Sequence, residues 1–323
     1  MGLHLPGKTG RSAGRRLALP ALLGAGALLL GGCSGEEIKR GFMPDPRDLQ
    51  GEHVLHLWQG AWIAALITGV IVWGLIVYCV IRFRRRSAAD IPVQTRYNLP
   101  LEIFYTIAPV LMVIVFFAKT VNAQNAILDD SQVPDNVIEV TGQQWSWTFN
   151  YGTDANGNVV APNNAADDNL DDQTYAYSDY SVDAGTASHI PTLVLPVGET
   201  TRFNLHSPDV IHDFGVKDFL EKMDVVPGRV NHYWVTPTSV SATFDPTAPG
   251  LISGTTYRGA CYELCGLYHS RMLFRVAVLS PDDYAKYVKA LHDNGASDDH
   301  PYIGGEQAYT QAGVESDLEG EVQ

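Results

Sequence analysis

Between Glu52 and Arg82 the chain carries no Asp, Glu, Lys or Arg. At about 1.5 Å of rise per residue, the apolar part of that stretch, 57–81, is longer as a helix than the ~30 Å hydrocarbon core of a bilayer. It predicts a membrane-spanning helix. Arg82, Arg84, Arg85 and Arg86 follow at once and place that end on the cytoplasmic side. Trp58 and Trp62 mark the opposite end, where interfacial aromatics are expected. A second apolar stretch, 99–121, returns across the membrane. Its uncharged part, 103–118, is a little short, so the span takes in Glu102 near the cytoplasmic end and Lys119 near the outer end. An ionisable group in a span is costly and points to function. Snorkelling to the interface is the competing reading of Glu102. Pro109 predicts a kink.

Upstream, Lys8, Arg11, Arg15 and Arg16 precede an apolar run, 17–30, that ends in Leu30-Gly31-Gly32-Cys33. This is the layout of a signal peptide, and its end resembles a bacterial lipobox. Residues 1–32 then form a lipoprotein signal peptide, and Cys33 is the lipidated mature N-terminus. A plain signal peptide with a chance cysteine is the competing reading, and it too leaves the mature N-terminus outside the cytoplasm. The expected order is an external segment, 33–52, a transmembrane hairpin, 53–122, an external domain, 123–292, and a mobile tail, 293–323.

Residues 1–121 carry a balance of +6 and residues 122–323 one of −20. The acidic part would repel phosphate, which excludes nucleic-acid binding there. Four cysteines, Cys33, Cys79, Cys261 and Cys265, are too few for a disulfide scaffold. Short β-branched or aromatic runs at 137–140, 146–151, 192–195, 200–205, 232–236, 255–257 and 272–278 predict strands. Many short strands between turn residues predict a sandwich or barrel. The stretch 152–190 has almost no large aliphatics and reads as an acidic surface insertion. Ser280-Pro281-Asp282-Asp283 reads as an N-cap, an N1 proline and an acidic first turn, opening a helix to about 291.

The segment Cys261-Tyr262-Glu263-Leu264-Cys265-Gly266-Leu267-Tyr268-His269-Ser270-Arg271-Met272 places two thiols, an imidazole and a thioether within one short loop. A further imidazole, His212, lies in Asp209-Val210-Ile211-His212-Asp213-Phe214. Thiolate and thioether with imidazole favour copper over hard cations. Three plainer readings compete. The loop residues could line one face of a helix, although Gly266 and strand-like flanks argue against it. Cys261 and Cys265 could form a disulfide, which leaves His269 and Met272 unexplained. A structural zinc site has no use for a methionine. Two thiolates from one loop can bridge two copper ions, each also bound by one histidine. Weak axial ligands, Met272 and a loop carbonyl, can complete the pair.

These segments, with Lys222-Met223-Asp224-Val225-Val226-Pro227-Gly228-Arg229-Val230-Asn231 and Gly142-Gln143-Gln144-Trp145-Ser146-Trp147, closely resemble cytochrome c oxidase subunit II. The resemblance spans roughly 50–279. It implies a membrane-anchored all-β fold, with a two-helix transmembrane hairpin followed by a cupredoxin-like Greek-key β-sandwich or barrel. It implies a dinuclear copper A centre in which Cys261 and Cys265 bridge, His212 and His269 are terminal, and Met272 and the Glu263 carbonyl are axial. The Glu263 side chain would touch a magnesium or manganese ion shared with subunit I. Trp145 matches the tryptophan that receives electrons from cytochrome c, and Glu102 the acid at a proton-channel mouth. The implied activity is that of the electron-receiving subunit of an aa3-type oxidase in the plasma membrane. Such an oxidase reduces oxygen to water and transports protons, with the copper domain on the outer face. Implied partners are subunit I, other oxidase subunits and a cytochrome c donor, either soluble or membrane-tethered. Ser146 between the tryptophans, Asp213 after His212 and the insertion depart from the family pattern. The alternative is a membrane-tethered copper chaperone, which needs neither His269 nor Met272. A quinol oxidase counterpart would lack the ligands, and a solute-binding lipoprotein would lack the two spans.

Overall fold

The computed structural model describes residues 34–87, 91, 94–129, 133–162, 177–186 and 189–303. Cys33 and the expected signal peptide lie outside the described residues, as do 163–176 of the expected insertion and 304–323 of the tail. A short helix, α1 (Gly35–Lys39), belongs to a separate N-terminal unit. Ser34 and Glu37 start it by capping one another reciprocally.

Two long helices follow, α2 (Leu49–Arg82) and α3 (Leu99–Ile127). Asp48 caps α2 by accepting from the Gly51 N–H, and Asn98 caps α3 by accepting from the Leu101 N–H. Both helices outrun the apolar stretches that announce them. Hydropathy marks what lipid can cover, whereas the caps decide where the backbone starts to coil. Pro109 lies inside an unbroken α3. Apolar side chains along both helices, such as Val70, Trp73, Val113 and Phe117, face outward uncovered. Both helices are long and apolar enough to cross a membrane.

The rest is a β-sandwich, as the sequence predicts. One sheet contains β1 (Asn136–Gln143), β2 (Ser146–Thr153), β3 (Asp179–Ala184), β5 (Thr201–His206), β8 (Asn231–Val235) and β13 (Ser297–Asp298). Its spatial order is β13-β3-β2-β1-β5-β8. The other contains β4 (Thr192–Pro196), β6 (His212–Val216), β7 (Glu221–Val225), β11 (Tyr257–Cys261) and β12 (Leu273–Leu279), in the order β4-β12-β11-β6-β7. A small hairpin pairs β9 (Ala242–Phe244) with β10 (Ile252–Gly254). β1 pairs with β5, and β4 with β12, in parallel; the other pairings are antiparallel. The non-sequential order means the chain crosses repeatedly between the sheets.

Trp147, Phe149, Phe203, Phe214, Tyr233 and Phe274 fill the space between the sheets. Phe214 and Phe274 stack with centroids 4.9 Å apart, and their neighbours meet them edge on. Burying each such ring contributes about 1.5–3 kcal/mol. Ser280 caps α4 (Pro281–Asp293), which buries Tyr284, Tyr287 and Val288 at one face. Tyr287 donates to Asp183 at 3.1 Å and so ties the helix to β3.

Three expectations are corrected here. The strand read at 255–257 runs instead from Tyr257 to Cys261. Gly259 hides it from a β-propensity reading, yet that glycine is needed, because a Cβ there would sit 2.1 Å from the Phe274 ring. The stretch 152–190 is not all surface insertion. β3 lies within it, hydrogen-bonded to β2, with Tyr180 buried. Residues 294–303 of the expected tail are not simply loose. β13 pairs with β3, and the Tyr302 N–H donates to Asn150 at 2.7 Å while its carbonyl accepts from Thr141 at 2.7 Å.

Candidate metal centre

Strand register assembles the site. β6 and β11 are antiparallel neighbours with Cys261 opposite Phe214, so His212 at the start of β6 lies beside Cys261 at the end of β11. The loop then turns back on itself. The Met272 carbonyl accepts from the Cys261 N–H at 3.1 Å, and the Asp213 carbonyl accepts from the Tyr262 N–H at 3.0 Å. A 3-10 turn, His269–Arg271, brings His269 and Met272 round to the thiols.

Every expected ligand atom converges there. The two Sγ atoms are 3.8 Å apart. Cys261 Sγ lies 3.9 Å from His212 Nδ1 and 3.2 Å from the Glu263 carbonyl oxygen. Cys265 Sγ lies 3.6 Å from His269 Nδ1 and 3.8 Å from Met272 Sδ. His212 and Met272 are wholly buried and both cysteines nearly so. The sulfur separation is far beyond the ~2.05 Å of a disulfide. It is within twice a metal–thiolate bond of about 2.3 Å, so one ion can touch both sulfurs. Both cysteines are free thiols. The donor set is two thiolates, two imidazoles, one thioether and one carbonyl. This soft and borderline set fits copper and offers little to hard cations.

Electrostatics prepare the ligands. The contact with Cys265 lowers the Cys261 thiol's pKa, against burial and with help from His212. The same contact, with burial, pushes the Cys265 thiol well up. Burial opposes charge on His212, but hydrogen bonds with Asp209 and Cys261 outweigh it and raise its pKa. His212 donates through Nε2 to Asp209 at 2.9 Å. That bond fixes the tautomer and leaves the Nδ1 lone pair facing Cys261. Burial would raise the Asp209 carboxyl, but hydrogen bonds from His212, Gln144 and Val210 hold it below its ordinary value.

Trp145 lies against this loop, half-buried. Its indole N–H donates to the Cys265 carbonyl at 3.3 Å, and its ring meets Tyr268 edge on at 4.9 Å. Gln144 donates to the same carbonyl at 2.7 Å. Gly266 has a φ of +123°, and a Cβ there would press on Gln144 and the Trp145 ring. Glu263 is exposed at the loop surface. Glu102 is not part of this cluster. It sits at the start of α3, where its carboxylate accepts from the Asn98 N–H at 3.0 Å. Asp213, the departure after His212, is buried and ion-paired with Lys222. Burial raises its carboxyl in spite of that pair. The supporting roles of Asp209 and Gln144 were not legible from residue type. An aspartate three residues before a ligating histidine was the one available signal.

A family model described as "Cytochrome C oxidase subunit II, periplasmic domain" matches residues 136–279. A protein of Streptomyces avermitilis named "Probable cytochrome c oxidase subunit 2" is 41% identical over 297 residues, covering 87% of this chain and 88% of its own. The "Cytochrome c oxidase subunit 2" of Mycobacterium bovis is 35% identical over 309 residues, covering 86% and 82%. Among solved structures, the periplasmic domain of subunit II of cytochrome oxidase of Bradyrhizobium japonicum is 22% identical with a TM-score of 0.36. That match covers 50% of this chain and 99% of the other.

Proposed function

The chain belongs to the cytochrome c oxidase subunit II family, and we propose that it is the electron-receiving subunit of an aa3-type oxidase in the plasma membrane. The observation that carries this reading is the convergence of all six candidate donors, His212, Cys261, the Glu263 carbonyl, Cys265, His269 and Met272, around two sulfurs 3.8 Å apart. Two copper ions held by these residues would supply one-electron transfer between an outside donor and haem in subunit I. The chain's own part is to hold those donors still. Asp209 orients His212, while Gln144 and Trp145 both clamp the Cys265 carbonyl. A ligand frame that does not move keeps the reorganisation on electron transfer small.

Trp145 is the proposed point of electron arrival, because its half-exposed ring is hydrogen-bonded directly to the ligand loop. Ile211, Tyr262, Leu264 and Leu267 expose apolar surface around that loop, a surface suited to a protein partner. The exposed carboxylate of Glu263 suits a magnesium or manganese ion at a junction with subunit I. Glu102, fixed at the start of the second membrane helix, is the proposed proton-uptake residue. Cys33 is the proposed lipid anchor, and the copper domain lies on the outer face.

The donor is a cytochrome c. The charge of −20 over 122–323 gives a docking field for a basic soluble protein, and the long insertion suits a haem domain tethered to a neighbouring complex. Steering of a soluble partner weakens as salt shortens the ~8–10 Å screening length. A tethered donor has a high effective concentration and is far less sensitive. The reduction rate with the native donor, followed from low to high salt, distinguishes them, with the shallow profile expected. Trp145→Ala should slow reduction in both cases without loss of copper. Unchanged reduction in that variant would remove Trp145 from the path.

A further inference from the structure

The two long helices leave a cleft of about 780 Å³ between them, toward the start of α2 and the end of α3. It shares no residue with the metal centre. Leu57, Ala61 and Ala64 of α2 and Leu111, Val115 and Phe116 of α3 give it an apolar floor. His53, His56, Lys119 and Asn122 stand at its polar end. The volume is that of a pocket for a small ligand, about 300–1,000 Å³. This is also the end of the hairpin that meets the sandwich, where the Leu49 N–H donates to the Thr236 carbonyl at 3.1 Å.

The charge at the polar end has one sign. No Asp or Glu lines the cleft, and Glu52, the acid nearest in sequence, is not among the lining residues. Lys119 is the single charged side chain in 103–127, and among the described residues it has no ion-pair partner. It follows Glu102 by seventeen residues, a rise of about 25 Å along α3. Against a hydrocarbon core of ~30 Å, an extended lysine there carries its ammonium to headgroup level. Trp58 and Trp62 of α2, whose rings meet edge on at 5.8 Å, mark the same level.

An unneutralised ammonium at the lip of an apolar cleft calls for an anion. Water would satisfy the cation but not the floor. A partner helix would cover the floor but would have to bring a carboxylate up to Lys119. A phosphodiester with an acyl chain answers both needs in one molecule. Its oxygens accept from Lys119 and from the imidazole N–H groups of His53 and His56, while the chain lies along the floor. We propose that the cleft binds one anionic phospholipid, with the phosphate at Lys119 and one acyl chain between α2 and α3. The bound lipid completes the packing of the hairpin beside its joint with the sandwich.

The test is photolabelling of the whole purified oxidase, reconstituted in phosphatidylcholine vesicles. A trace of lipid with a diazirine in its acyl chain is added, either phosphatidylglycerol or phosphatidylcholine, and labelled peptides are mapped by mass spectrometry. In wild type, 57–64 and 111–116 should be labelled about fivefold more by the anionic lipid, the worth of one cation near an anionic headgroup. Lys119→Gln should bring that ratio close to one, and Lys119→Arg should keep it. A Cβ at Gly60, which also lines the cleft, meets nothing within 4 Å. Gly60→Leu should therefore fill the cleft without a clash and remove labelling of these peptides by both lipids. Equal labelling by the two lipids in wild type would overturn the proposal, and that comparison stands even if a variant fails to assemble. An unchanged ratio in Lys119→Gln would overturn it too. So would peptides without lipid label that crosslink instead to another subunit, because a protein helix would then occupy the cleft.

Discussion

Replacing Asp209 with Ala should loosen the metal centre without touching a ligand. In the native chain Asp209 accepts from His212 Nε2 at 2.9 Å and from the Gln144 N–H at 2.7 Å. It therefore steadies one ligand directly and, through Gln144, the Cys265 carbonyl. A charge-assisted hydrogen bond contributes about 1.5–3 kcal/mol. The His212 side chain is fully buried, but Asp209 is 29% exposed, so water screens part of the effect and the lower half of that range applies. At 1.4 kcal/mol per decade, that is roughly a ten- to fortyfold loss of copper affinity, within the range for groups that orient metal ligands. Asp209→Asn keeps a neutral acceptor and should fall between wild type and Ala. The assay is competition with a copper chelator on the purified oxidase, following metal retained per subunit. A change in Asp209→Ala smaller than about twofold, in a folded complex, would refute the orienting role.

Gly259→Ala should destabilise the sandwich without altering the ligands, because the new Cβ would lie 2.1 Å from the Phe274 ring, which is stacked on Phe214. Overpacking of this kind costs about 1–3 kcal/mol, visible as a lower melting temperature, and an unchanged melt would show that the ring can move aside freely. Glu102→Gln should slow oxygen turnover of the complex and leave reduction of the copper centre nearly unchanged. Equal turnover in the two forms would reduce Glu102 to its bond with the Asn98 N–H.

The membrane hairpin was legible because charge is so costly in lipid that its absence from 53–81 admits little else. The ligand loop was legible because Cys261, Cys265, His269 and Met272 are close in sequence and chemically rare together. What surrounds them was not. Asp209 reaches Gln144 across 65 positions, and Gln144 reaches Cys265 across 121, so neither bond leaves a local pattern. β6 and β7 escaped a reading by propensity because His212, Asp213, Gly215, Lys222 and Asp224 dilute their apolar residues. β3 escaped because its polar side chains find partners inside the fold, as Asp183 does with Tyr287 and the Thr192 N–H.

The most direct measurement is the metal content and spectrum of the copper-loaded subunit, wild type against Cys265→Ser. If the proposed reading holds, and Cys261 and Cys265 both serve two copper ions, the wild-type subunit should bind two copper ions per chain with a mixed-valence spectrum. The Cys265→Ser variant should lose that signal outright, because a hydroxyl cannot replace a bridging thiolate. A single copper ion that passes readily to an acceptor protein would support the tethered chaperone instead. One copper or zinc ion in wild type, or an unchanged two-copper spectrum in Cys265→Ser, would contradict the bridged centre.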